Sequence, residues 1–256
     1  MTRQFGRPAH HFDSIDTTMR EAAQLARDGC PEGTVVTAAQ QTAGRGRLGR
    51  TWLSEPGGGL YVSLVLRPDI AAGAAPVLTL VVGLGVAEAV QTQTGMSCDI
   101  RWPNDILIGE RKCAGILVEM ETDQERVAHV IVGVGLNLNY KDFGPDLENL
   151  ATSLLIETGR RFEADSILQP MLDAIRDNYE IYLDRGKEPV LDAFSRASSY
   201  VSGRRVVVVG SDNDRAPDRR GTTAGLDANG MLLLRDDAGR VEPVLAGSVR
   251  PDDTEY

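Results

Sequence analysis

The sequence predicts an α+β fold with a small β-barrel appended at its C-terminal end. Three patterns predict it. Leu60 to Leu66 alternates at the period of a half-buried strand, with Leu60, Val62, Leu64 and Leu66 on one face. Ile167, Leu168, Met171, Leu172, Ile175, Tyr179, Tyr182 and Leu183 recur at helical spacing. After Tyr200 the chain turns into short β-branched runs separated by glycine-bearing turns. With 256 residues, 42% hydrophobic and 25% charged, it has the length for one large and one small domain and the composition of an ordered globular protein. The expected boundaries are 1–199 and 200–256.

In chain order, Met1 to Ser14 is polar and has no apolar signal core. Thr18-Met19-Arg20-Glu21 has capping-box spacing ahead of a helix that runs to Asp28. Thr17 and Thr18 therefore sit at a helix N-terminus, where a hydroxyl can cap the helix or bond a ligand. Gly33 to Gln41 reads as a strand through Val35 and Val36. Glu55-Pro56-Gly57-Gly58-Gly59 is a flexible connection, and Pro76 to Val90 is a buried helix interrupted by Gly83 and Gly85. The apolar run from Val77 to Val90 is too short and too interrupted to span a bilayer.

Ile100 to Met120 predicts a hairpin, with Ile106-Leu107-Ile108 as one arm, Gly109-Glu110 as the turn and Cys113 to Met120 as the return. Val127 to Val134 is a further strand that Gly133-Val134-Gly135 brings to an end. Asp165 or Ser166 caps the long helix. Arg204 to Val209, Thr222 to Asp227, Met231 to Arg235 and Val241 to Ala246 supply the strands of the small barrel, and Ser211 to Arg220 is expected as a mobile loop on it.

Bulk properties exclude several functions. A net charge of −10 argues against a polynucleotide-binding surface and leaves room for a small nucleotide held in a pocket. Cys30, Cys98 and Cys113 form an odd set without a C-x-x-C pair, which fits a reducing, cytoplasmic compartment. His10, His11 and His129 have no metal-ligand spacing.

Chemistry gathers first at Gly44-Arg45-Gly46-Arg47-Leu48-Gly49-Arg50, followed by Trp52. Glycines allow close backbone approach to a ligand, and guanidinium forks suit carboxylate and phosphate. Taken alone, the segment is equally a solvated basic loop. Gln41 brings an amide with donor and acceptor capacity. Arg101-Trp102-Pro103-Asn104-Asp105 places an amide and a carboxylate at the start of a strand, or is simply a turn bonded to its own backbone. Lys112, with Gly115 behind it, is by itself one hairpin charge among several. Asn137 and Asn139 flank the end of the Val127 strand.

In combination these segments resemble the biotin–protein ligases. The resemblance is carried by Gln-Thr-Ala-Gly-Arg-Gly-Arg-x-Gly-Arg-x-Trp at 41–52, Arg-Trp-Pro-Asn-Asp at 101–105 and Lys-x-Ala-Gly-Ile-Leu-Val-Glu at 112–119. Gly-Val-Gly-Leu-Asn at 133–137, Ala-Thr-Ser-Leu at 151–154, Gly-Leu-Asp-x-x-Gly-x-Leu at 225–232 and Leu-Ala-Gly-Ser-Val at 245–249 extend it from about Ser14 to Val249.

The resemblance implies a mixed, mainly antiparallel sheet flanked by helices, of the class II synthetase kind, and an SH3-like C-terminal barrel. It implies that biotin is activated by ATP to biotinyl-5′-AMP and then transferred to a lysine of a biotin carboxyl carrier domain. Lys112, Arg45 and Arg47 are the implied catalytic residues. Thr17, Thr18, Gln41, Arg45, Gly46, Arg47, Lys112 and Gly115 match biotin-binding positions. Arg47, Arg50, Trp52, Asn104, Asp105, Lys112 and Asn137 match ATP or adenylate positions, with Mg²⁺ near Asp105. Trp52 and Trp102 are expected either as stacking surface or as core. The Arg/Gly loop is expected to be mobile until it orders over the adenylate.

Three positions depart from the family pattern. Thr17-Thr18-Met19 replaces Ser-Thr-Asn, Arg101 replaces a lysine, and Cys113 replaces an aliphatic residue. The first ligand motif falls within about twenty residues of Met1, so a short form without an N-terminal winged helix is expected, with no DNA or membrane partner and a monomeric or homodimeric state. A lipoate–protein ligase or acyltransferase is the nearest alternative. A non-catalytic nucleotide- or RNA-binding module is the alternative from another class.

Overall fold

The computed structural model describes residues 3–210 and 218–252. In chain order the elements are β1 (Ala9–Phe12), α1 (Thr18–Arg27), β2 (Val35–Ala38), β3 (Gly59–Leu66), α2 (Val77–Thr94), β4 (Asp99–Arg101), β5 (Asp105–Ile108), β6 (Arg111–Asp123) and β7 (Arg126–Asn137). They continue with α3 (Leu154–Thr158), α4 (Ala164–Arg185), α5 (Glu188–Ala197), β8 (Ser202–Val209), β9 (Arg219–Leu226), β10 (Leu232–Arg235), β11 (Val241–Pro243) and β12 (Ser248–Pro251). A seven-stranded sheet has the order β1-β2-β3-β7-β6-β5-β4. Among its described strands only the β1–β2 pair is parallel. A second, five-stranded antiparallel sheet of order β11-β10-β9-β8-β12 forms the SH3-like unit.

Period-2 alternation assigns the two faces of the large sheet. Leu60, Val62, Leu64 and Leu66 of β3 and Val130, Val132, Val134 and Leu136 of β7 join the main core beneath α2 and α4. Each such side chain contributes about 1.5–3 kcal/mol on burial. The opposite face carries Val65 and Ile131, which pack against Met19, Ala22 and Ala26 of α1. Both faces of β3 are thus covered and all eight of its residues are buried, where alternation alone predicts a half-buried strand.

The glycines of α2 are packing positions. A Cβ on Gly85 would come within 2.7 Å of the Ile175 backbone, so its absence lets α4 approach. The helix runs on to Thr94, beyond the expected end at Val90, and closes on left-handed Gly95. By length and composition alone the stretch from Ala72 to Thr94, longer than the Val77–Val90 run read from sequence, could cross a membrane; 67% of its most apolar 18-residue window is buried inside the fold, where its apolarity serves the core.

Other local differences have identifiable causes. Thr17, not Thr18, caps α1, because Thr18 is turned inward to other partners. The long helix starts at Ala164 after Glu163 without a side-chain cap, ahead of the predicted Asp165 or Ser166. β7 does not end at Gly133-Val134-Gly135 but continues to Asn137, paired with Gly59 of β3. Of the loop expected over 211–220, residues 211–217 lie outside the described residues, while Arg219 and Arg220 already belong to β9.

Candidate active site

The α1 face of the central strands is bare where Gly115, Gly133 and Gly135 alternate with core residues, and five segments converge over this floor. The Trp52 indole lies on it. A Cβ at Gly135 would fall 2.4 Å from its Nε1, and one at Gly115 would fall 2.8 Å from its Cζ3. Any side chain at either position would lift the ring. The Met19 thioether fills the neighbouring space, 2.6 Å from where a Gly133 Cβ would stand. The indole Nε1–H is buried without a hydrogen-bond partner, a donor left available to a ligand.

One end of the pocket is neutral and polar. Thr17 caps α1, its Oγ1 accepting from the Met19 amide at 3.4 Å. The Thr18 hydroxyl and backbone N–H both reach Gln41 Oε1, at 3.2 and 2.9 Å, and its hydroxyl lies 2.8 Å from Ser63 Oγ. Gln41 Nε2 donates in turn to Ser54 Oγ at 3.0 Å. Ser63 and Ser54 were not singled out from sequence. Ser63 could have been found, as a hydroxyl in an otherwise apolar strand on the face opposite the leucines.

The Arg/Gly segment is a closed turn above this end. Trp52 N donates to Gly44 O at 2.9 Å and Gly46 N to Arg50 O at 2.7 Å. Leu48 and Gly49 both take positive φ, 59° and 76°, to reverse the chain. The three arginines point to different places. Arg47 turns in, donating from Nη1 to Asn104 Oδ1 at 2.9 Å, and burial draws its guanidinium pKa below the ordinary arginine value against the opposing pull of Asp105. Arg50 donates to Ser248 Oγ of β12 at 3.0 Å. Arg45 lines the pocket, but its side chain is 61% exposed and only loosely faces Glu119, at 3.9 Å.

The other end is charged. Lys112 Nζ sits 2.5 Å from Asp105 Oδ1 and 5.1 Å from the centre of the Trp52 ring. Arg101 Nη2 donates to the second oxygen, Asp105 Oδ2, at 2.9 Å. Burial pushes the Asp105 pKa up, but Lys112 and then Arg101 outweigh it and hold the carboxyl below its ordinary 3.8. The bulge between β5 and β6 brings Lys112 opposite Leu107 and so beside this carboxylate. Both oxygens of Asp105, near which Mg²⁺ is expected from sequence, are engaged by cations. No group of three His, Cys, Asp or Glu side chains able to hold a metal occurs among the described residues.

Thr17, Thr18, Gln41, Arg45, Gly46, Arg47, Trp52, Asn104, Lys112 and Gly115 all line one pocket of about 50 Å³, with room for only a few waters. It adjoins a cleft of about 870 Å³ between the large sheet and the small barrel. Arg50, Asp105 and Asn137 line that cleft with Arg204, Ser248 and Arg250, none of them expected at the site from sequence: Arg204 and Arg250 lie outside the motifs, and Ser248 lies in the 245–249 motif, to which no ligand role was given. Asn137 donates to Thr152 O at 3.0 Å, fixing the segment after β7. Trp102 is absent from the pocket; it is buried and donates to Gly230 O at 2.9 Å. The arrangement suits a ligand with a neutral polar head and an acidic tail, placed beside a polyanion in the basic cleft.

Known proteins resemble this chain in sequence and fold. The model of the biotin/lipoate A/B protein ligase family matches residues 11–137. The bifunctional ligase/repressor BirA of Bacillus spizizenii is 38% identical over 244 residues, covering 93% of this chain and 72% of that protein. The biotin–[acetyl-CoA-carboxylase] ligase of Paracoccus denitrificans is 33% identical over 231 residues, covering 88% of this chain and 93% of its own length. The biotin protein ligase from Aquifex aeolicus in complex with biotin and ATP superimposes with a TM-score of 0.79 at 28% identity, covering 95% of this chain and 98% of that one. Sequence and fold together place this chain in the biotin protein ligase family.

Proposed function

We propose that this chain activates biotin with ATP and transfers it to a lysine of a biotin carboxyl carrier domain. A carboxylate oxygen of biotin attacks the α-phosphate, the bond to the β-phosphate breaks and pyrophosphate leaves. The carrier amine then attacks the acyl carbon, the bond to AMP breaks, an amide forms and the amine gives up its proton. Residues 1–199 serve as the catalytic domain and 200–256 as the SH3-like domain. The enzyme works in the cytoplasm, in keeping with its three free cysteines.

The reaction needs two anions brought together with their repulsion neutralised. Arg47 and Lys112, inward-facing and fixed by Asn104 and Asp105, take that role. Lys112 stabilises charge on the carboxylate or α-phosphate, a contribution of about 3–4 kcal/mol for a donor of this kind. Thr17, Thr18 and Gln41 hold the ureido ring by neutral donors and acceptors. Arg50 and Asn137, in the wider cleft, serve the nucleotide. Mg²⁺ enters as part of the substrate, MgATP, since Asp105 is committed to its two cations.

The small free volume of the pocket supports a further step. Biotin has to displace the Trp52 ring or the Arg/Gly turn to enter, and the same turn closes over the labile adenylate. Arg45, exposed in this state, joins the ligand on closure.

A single observation carries the reading: one pocket joins neutral polar groups (Thr17, Thr18, Gln41) to cations (Arg47, Lys112) and opens on a basic cleft in a protein of charge −10. The test is release of pyrophosphate from labelled ATP with biotin or lipoate as the acid. Biotin alone should drive it. Release driven by lipoate instead assigns the related ligase, and acid-independent, salt-sensitive binding of polynucleotide assigns a binding module.

A further inference from the structure

The small barrel adds no group of three potential metal ligands among its described residues, yet it is fastened to the site at the 101–105 turn, at Glu110 and, through Arg50 and Ser248, at the Arg/Gly turn. Trp102 Nε1 donates to Gly230 O at 2.9 Å, across a buried boundary to the turn between β9 and β10. Tyr200, fully buried where the chain leaves the large domain, is flanked by two guanidinium groups. The Arg204 Cζ of β8 lies 4.0 Å from its ring centre and the Arg101 Cζ lies 5.9 Å away. Its hydroxyl donates to Glu110 Oε2 at 2.9 Å, and Arg204 donates to both oxygens of the same carboxylate, at 2.7 and 2.8 Å. Ser198 Oγ also donates to Ile100 O at 2.5 Å, along the edge of β4.

Two of these contacts, Trp102 with Gly230 and Arg101 with Tyr200, fall on residues 101–105, and the others hold the flanking Ile100 and Glu110. Arg101 donates to Asp105, Asp105 carries Lys112, and Asn104 carries Arg47. Asn104 donates from its backbone N–H to Arg101 O at 3.2 Å, and it is joined to Ile116 of β6 by two bonds, its O accepting from Ile116 N at 3.0 Å and its Nδ2 donating to Ile116 O at 2.9 Å, in addition to Arg47. Cation–π attraction to a buried ring is strengthened by the exclusion of water. A fully buried tyrosine bonded to carboxylate adds rigidity, and burial followed by the Glu110 bond pushes its phenol up to about 12, so it remains a neutral donor near pH 7.

We propose that Tyr200 and Trp102 are positioning residues for acid activation: by clamping the 101–105 turn to the barrel they hold Asn104 and Asp105, and through them Arg47 and Lys112, at their stations. The inference rests on the adenylation reading above. The biotin ring end of the pocket stands outside the clamp, because Thr17, Thr18 and Gln41 belong to α1 and the segment after β2. Loss of the clamp therefore slows chemistry without weakening biotin binding.

The experiment is steady-state, biotin-dependent pyrophosphate release by the full chain and its Tyr200→Leu, Tyr200→Phe and Trp102→Phe variants. Tyr200→Leu should lower kcat by about tenfold with the KM for biotin within about twofold of wild type, the scale of loss for a small misplacement of catalytic groups. Tyr200→Phe, which keeps the flanked ring, should restore most of the rate, and Trp102→Phe, which keeps the ring but loses the bond to Gly230, should resemble Tyr200→Leu. Amide hydrogen exchange in Tyr200→Leu should speed up across 101–105 and 45–50 and stay unchanged across 17–22. If Tyr200→Leu does not fold, Arg204→Gln, half-buried beside the Tyr200 ring at the edge of the cleft, should show the same split between kcat and the KM for biotin. Wild-type kcat in these variants, or a parallel loss of kcat and biotin affinity, overturns the clamp. Absence of biotin-dependent release by the wild-type chain overturns the underlying functional reading instead.

Discussion

Replacement of Lys112 by alanine separates the chemistry of this site from its stability. The ammonium is 26% exposed, lies 2.5 Å from Asp105 and faces the Trp52 ring. Stripping a buried carboxylate of its partner commonly costs about 3–5 kcal/mol. Asp105 would, however, keep Arg101 at 2.9 Å. The stability loss for Lys112→Ala should therefore stay near 1–2 kcal/mol, below the cost of a bare buried charge. The transition state has no such substitute. Losing a preorganised cationic donor should remove about 3 kcal/mol, or roughly a hundredfold in the rate of adenylate formation. Pyrophosphate release under saturating biotin and MgATP measures the rate, and thermal unfolding measures the stability. A folded Lys112→Ala protein with wild-type adenylation would refute the reasoning. So would a variant too unstable to fold, because it would show that Arg101 does not share the Asp105 charge.

Further perturbations test the floor, the loop and the core. Gly135→Ala puts a methyl group 2.4 Å from the Trp52 indole and should displace it, lowering adenylation at least tenfold while costing about 1–3 kcal/mol of stability; near-wild-type activity would show that the ring need not lie there. The Arg45–Arg50 turn should be cleaved by trypsin-like proteases more slowly with biotin and ATP than without, and equal rates would count against closure over the adenylate. Gly85→Val should destabilise by about 1–3 kcal/mol with little change in KM, since it separates α2 from α4 away from the pocket; thermal unfolding and steady-state kinetics report the two. Because the Asp105 carboxyl is held below 3.8, its contribution to stability is complete above that pH and is lost only as the pH falls through its native value. The difference in melting temperature between wild type and Asp105→Asn should thus be constant down to about pH 3.8 and shrink only below it; closure of the gap starting well above that pH would mean that burial, not the two cations, dominates.

The elements legible in the sequence were those with a long or repeated pattern. The leucine alternation of β3, the periodicity of α4 and the Gly109-Glu110 hairpin each announce a local preference that the fold keeps. β1, β4, β12, α3 and α5 were not called, being short pieces whose structure comes from neighbours: β1 from its parallel partner β2, and β12 from β8. Gly133 and Gly135 were misread as a strand end, because the reason for them, a bare floor under Trp52, lies on a neighbouring segment. The same limit applies at the site. Lys112, Arg47 and Thr18 could be singled out by motif, but the commitment of Asp105 to two cations and the outward turn of Arg45 depend on distances across the fold. Trp102, whose stacking and packing alternatives were balanced in sequence, proves to be a tie to the barrel.

The most direct measurement is transfer itself. The chain is incubated with biotin, MgATP and a biotin carrier domain, and the carrier is mapped by mass spectrometry while AMP and pyrophosphate are counted. The account predicts one biotin in amide linkage on a single carrier lysine, with one AMP and one pyrophosphate released per transfer. An unmodified carrier in the presence of all three components, or modification that proceeds without consumption of ATP, would contradict it.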